Sequence, residues 1–121
     1  MRVQSLGLQF SAAQSLTYAE GVYTIVWQFT VEERNVDAFV ATYGPSGEWA
    51  DLFQHAKGFR GTALLRDAAD PLRFVTVDRW DSFQNFELFH QAFGSEYAEM
   101  DARLEQLTAS EVLIGRFLEQ S

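Results

Sequence analysis

Between Phe74 and Phe93 the chain reads FVTVDRWDSFQNFELFHQAF, and two groups within it can move a proton, Asp78 and His90. An imidazole titrates near neutrality, so His90 is the leading candidate for a general base. A carboxylate can do the same work once burial raises its pKa, which makes Asp78 and Asp101 further candidates. Trp80 offers a flat ring for stacking and an indole N–H for donation, and Tyr97 shares a helical face with Asp101. Proton abstraction in an apolar cavity needs little more than one base, donors for the developing oxyanion and a shield against water. Each group also has a plainer reading. His90 can be a core histidine with one hydrogen bond, Trp80 simple packing, and Asp101 the ion-pair partner of an arginine such as Arg79.

The elements that must carry these groups follow from periodicity. From Val22, VYTIVWQFTV places Tyr23, Ile25, Trp27, Phe29 and Val31 on one face of a strand. Glu32 to Tyr43 carries Val36, Phe39, Val40 and Tyr43 at helical spacing, and Gly44-Pro45 stops it. A second short helix opens at Ser46 or Gly47, with Trp49, Leu52 and Phe53 sharing a face. Phe59 to Arg66 and Arg73 to Trp80 read as antiparallel strands joined through Asp67–Pro71. The second of them alternates Phe74, Thr76, Asp78 and Trp80 against Val75, Val77 and Arg79. Ser82 suits a helix N-cap, and Phe83, Phe86, Phe89, His90 and Phe93 fall on one side of the helix after it, which Gly94 is expected to end. A further helix from Glu96 to Thr108 groups Tyr97, Met100, Asp101, Leu104 and Leu107, and the segment from Glu111 is the last strand.

Strand, helix, strand, strand, helix, strand is a split βαβ repeat, an α+β ferredoxin-like fold with an antiparallel sheet. All its helices lie on one side of the sheet. The other side carries bulky apolar residues and needs a second layer, for which a second copy of the chain is the simplest answer.

Composition narrows the function classes. A chain of 121 residues, 47% hydrophobic and 15% aromatic, supports a single core. A net charge of -8 with Lys57 as the single lysine argues against nucleic-acid and anionic-membrane partners. No stretch reaches the roughly 18 consecutive apolar residues of a membrane span. The absence of cysteine excludes disulfides, thiolate metal sites and cysteine nucleophiles. His55 and His90 stand in no metal-binding spacing, and Gly44-Pro45-Ser46-Gly47 is not a phosphate loop, so neither metal nor cofactor is expected. Residues 1–20 show no sustained period and no clean apolar signal region. They read as an N-terminal extension of a cytoplasmic protein, with residues 21–121 as the one domain.

Several short motifs recur in order. They are Gly58-Phe59-x-Gly61-Thr62, Asp78-Arg79-Trp80 followed by Ser82, His90, Tyr97-Ala98-x-x-Asp101 and Glu111-x-x-Ile114-Gly115-x-Phe117. Together, from about Val22 to Glu119, they resemble the antibiotic biosynthesis monooxygenase domain of the dimeric α/β barrel superfamily. The resemblance implies a homodimer with facing sheets and, in each protomer, a pocket between sheet and helices. It also implies a possible chemistry, cofactor-independent oxygenation of a small aromatic phenol, anthrone or quinol. His90, Asp78 and Asp101 would then be the proton acceptors, and Trp80, Tyr97, Tyr43, Trp49, Phe53 and Phe86 would surround the ring. Haem-degrading relatives carry a histidine on the segment that here runs Glu96–Asp101, and none stands there, so haem is not expected. The alternative function is a non-catalytic, stress-associated or ligand-binding dimeric module using the same pocket.

Overall fold

The alternation of β-branched and aromatic residues from Tyr23 onward produces strand β1 (Tyr23–Thr30), in which Tyr23, Ile25, Trp27 and Phe29 are buried. The computed structural model describes residues 21–120. The expected extension over residues 1–20 lies outside the described residues. Three more strands, β2 (Phe59–Arg66), β3 (Arg73–Trp80) and β4 (Ser110–Leu118), complete a four-stranded sheet in the order β2-β3-β1-β4. Every neighbouring pair is antiparallel. With helices α1 (Val36–Tyr43), α2 (Glu48–Phe53) and α3 (Phe83–Leu104), this is the expected ferredoxin-like α+β fold.

The chain breaks between α1 and α2 where Gly44-Pro45 was expected to break it. Gly47 caps α2 and is pressed against the end of α1, so that a Cβ there would lie 2.3 Å from the Thr42 carbonyl oxygen. Only glycine permits that approach. Phe39 and Tyr43 point inward and stack with centroids 4.4 Å apart, whereas Val40, expected on the same face, is exposed.

Helix α3 is two helical segments joined end to end. Ser82 caps it as foreseen, its Oγ accepting the Asn85 N–H at 3.1 Å. The run breaks at Phe93 (φ −118°, ψ 17°), one residue before Gly94, and the two expected helices meet there across a kink rather than a loop. The kink matters because His90 precedes it and Tyr97 and Asp101 follow it.

The outer side of the sheet is apolar and uncovered among the described residues. Leu65, Val112, Ile114 and Phe117 are each about half exposed, and Val26, Val75 and Val77 lie between them. Gly115 leaves room for the Phe117 ring, since a Cβ there would come within 2.8 Å of it. Among the described residues no helix is long and apolar enough to cross a membrane.

Candidate functional site

Strand register sorts the inner face of the sheet into cross-strand rows. At one end Phe59, Trp80, Tyr23 and Leu118 form an apolar row, and at the other Phe74 and Phe29 lie side by side. Between them run two rows of different character, Thr62–Asp78–Ile25–Arg116 and Leu64–Thr76–Trp27–Leu113. A polar band therefore crosses the middle of a face that the fold otherwise uses for its core.

Two irregularities create this band. In β2 the register shifts between Phe59 and Gly61, where Gly61 takes φ +120°. Strict alternation from Phe59 would turn Thr62 outward, but the extra residue turns it inward, opposite Asp78. In β4 a shift opposite Val26 and Trp27 brings Arg116 into register with Ile25.

Helices α2 and α3 roof the band. Trp49 packs against Tyr97 with centroids 4.9 Å apart, and His90 lies 6.5 Å from Tyr97. Tyr97 is buried with its phenol in electrostatic reach of Asp101, Asp78, Glu111 and Tyr43. Burial first, and then those neighbouring acids, push its pKa well above the usual phenol value, so the hydroxyl keeps its proton. Asp78 is 3% exposed. Burial raises its carboxyl to about 6, against the opposing effect of the Thr62 hydroxyl, which donates to Oδ1 at 2.6 Å. Asp101 is also buried, on the Tyr97 side of α3.

The polar atoms here are short of partners. Among the described residues Trp27 Nε1, Trp49 Nε1, Thr76 Oγ1, His90 Nε2 and Tyr97 OH are buried and make no hydrogen bond. Buried donors are nearly always satisfied by protein, water or ligand, so this set of groups calls for further partners. It presents two indole N–H donors, two hydroxyls, an imidazole nitrogen and a carboxyl that titrates near neutrality.

The expected site residues fall into two adjoining groups, bridged by Phe53, which meets Trp49 and Tyr97, and by Phe86, which meets His90. Asp78, Tyr97, Asp101, Trp49 and His90 surround the polar band, with Tyr43 within electrostatic reach of Tyr97. Trp80, Phe53 and Phe86 belong to the aromatic end, where the Trp80 ring meets Phe53, Phe59, Phe86 and Phe89 at 5.2–5.8 Å. The suggested Arg79–Asp101 pair is not formed. Arg79 lies on the outer face and its guanidinium donates to Glu119 at 2.8 Å. Trp27, Thr62 and Thr76 carried no site role in the sequence reading. A threonine and an aspartate on the buried register of β3 were the available signal for Thr76, because a core strand has no need of either.

No family model matches the chain, and no curated protein matches it in sequence. Solved structures do match in fold. SnoaB, a cofactor-independent oxygenase from Streptomyces nogalater, superposes with a TM-score of 0.63 at 21% identity, over 84% of this chain and 96% of that one. A Bordetella bronchiseptica protein provisionally described as an antibiotic biosynthesis monooxygenase gives 0.62 at 21% identity, over 84% and 100%. A conserved protein from Methanosarcina mazei gives 0.62 at 9% identity, over 87% and 99%. The resemblance read from the motifs therefore holds at the level of the fold, which this chain shares with these three structures.

Proposed function

We propose that this chain is a cofactor-independent monooxygenase that oxidises a small aromatic phenol, anthrone or quinol and works as a homodimer. The observation that carries the reading is the unpartnered buried hydroxyl of Tyr97, packed against the unpartnered indole of Trp49 and in electrostatic reach of a carboxyl with a pKa of about 6. The fold shared with SnoaB supports it.

In this reading Asp78 takes the proton. Above pH 6 it is mostly ionised, and its pKa lies close to the working pH, where a general base is most effective. The neutral Tyr97 hydroxyl and the indole N–H groups of Trp27 and Trp49 stabilise the phenolate or enolate oxygen left behind. The substrate anion passes one electron to dioxygen, and the resulting radical pair combines to a peroxide. Loss of water then leaves the quinone, so that one dioxygen becomes one quinone oxygen and one water. His90 Nε2 reaches the same cluster and is the second candidate for the proton.

Oxygen uptake by the purified, metal-free protein against anthrone-like phenols and quinols tests the assignment. Uptake matched by quinone formation is expected, with a loss of about 10²–10⁴-fold in Asp78→Asn. A loss confined to His90→Ala would move the base to His90. Ring compounds that bind tightly without any uptake would instead make the chain a binding module. The exposed apolar face supports the dimer, which light scattering at micromolar concentration should report as twice the chain mass, falling to one in Ile114→Glu. A monomeric unmodified protein would end that part of the proposal.

A further inference from the structure

We infer that Thr62 is a positioning residue, held inward by the β2 bulge so that its hydroxyl occupies one oxygen of Asp78 and leaves the other to take the proton. The inference rests on the reading of Asp78 as base. Geometry carries it. Thr62 and Asp78 are register partners on adjacent strands, and Oγ1 donates to Oδ1 at 2.6 Å. That contact exists only because the extra residue at Arg60, with Gly61 at positive φ, reverses the facing of the strand from Gly61 onward. Bulges of this kind cluster beside active sites, where they re-aim a side chain.

A buried carboxylate with two equivalent oxygens can rotate and accept a proton at either. One short charge-assisted hydrogen bond removes that freedom and favours the ionised form. Thr62 thus does two things at once. It fixes the plane of the acceptor, and it holds the Asp78 carboxyl low enough to be ionised near neutrality in a site whose burial pushes the other way.

The ionisable groups on the inner faces of the elements packed around Asp78 include Tyr23 on β1, His90, Tyr97 and Asp101 on α3, Glu111 and Arg116 on β4, and Tyr43 on α1. Tyr97 stays neutral over the working range. The donor to Asp78 Oδ1 is the Thr62 hydroxyl.

The test is the titration of the Asp78 carboxyl carbon by NMR, in the full chain without substrate, for the unmodified protein, Thr62→Val and Thr62→Ser. Valine keeps the branched shape that suits a strand and loses only the donor, so the Asp78 midpoint should rise by about one pH unit or more. Serine should bring it back. Where a substrate is turned over, the acid limb of the kcat profile should move with the same midpoint while KM stays put. A Thr62→Val midpoint equal to that of the unmodified protein, or a serine variant that behaves like valine, would overturn the inference. Because the titration needs no turnover, a protein that consumes no oxygen but shows the shift would refute the oxygenase reading and leave the Thr62–Asp78 coupling standing.

Discussion

The two ends of the core between sheet and helices are built from similar residues and do opposite things. Around Trp80, rings from α2, β2 and α3 close on one another, with Phe53, Phe59, Phe86 and Phe89 all within 6 Å of its centroid. Around Tyr97 the rings are as buried, yet Trp49 and Tyr97 itself carry polar atoms that make no hydrogen bond. Phenylalanine fills volume and asks for nothing further, while tryptophan and tyrosine bring a donor that must find a partner. The difference teaches where the fold stores its stability and where it keeps a polar surface for something else.

The contrast can be broken most forcefully at its apolar end. Trp80→Ala removes the centre of the ring cluster and should lower the unfolding free energy by about 3–5 kcal/mol, read from urea titration. A loss below about 1 kcal/mol would mean that the ring is not a core element. At the polar end the sign reverses. Folding raises Asp78 from 3.8 to about 6, so the folded chain binds more protons than the unfolded one between those values. Stability should therefore fall as pH rises from about 4 to 6, by up to about 3 kcal/mol from this group, and stay flat above. Asp78→Asn should abolish that slope and be the more stable protein at pH 8. A variant whose stability follows the unmodified protein at every pH would show that the carboxyl is not desolvated. The smallest effect is expected at Tyr97→Phe, which deletes an unpartnered hydroxyl and should stabilise the chain by about 1 kcal/mol while weakening the binding of a phenolic ligand. Destabilisation there would sharpen the contrast differently, by showing that the hydroxyl is satisfied in solution.

Most of the fold was legible because its signals are local. Alternation in Tyr23–Thr30 and Arg73–Trp80, the Gly44-Pro45 break and the Ser82 cap each depend on neighbours within a few residues, and each appears where expected. The break expected at Gly94 falls one residue earlier, at Phe93, and takes the form of a kink between two helices that meet directly. Asp78, His90, Tyr97 and Asp101 could be picked out by residue type and spacing. Thr62 could not, since alternation from Phe59 turns it away from the helices.

The sequence by itself determined the order of elements, the buried faces of β1 and β3 and the apolar character of both sides of the sheet. These follow from hydrophobic period, which each segment carries alone. Only the tertiary structure decided which of the buried residues are satisfied and which are not. It set Arg79 against Glu119, enclosed Trp80 in phenylalanine and placed the Thr62 hydroxyl on Asp78 through a bulge. Hydrogen-bond satisfaction and register are properties of pairs brought together from distant parts of the chain, and one extra residue in a strand exchanges one set of partners for the other.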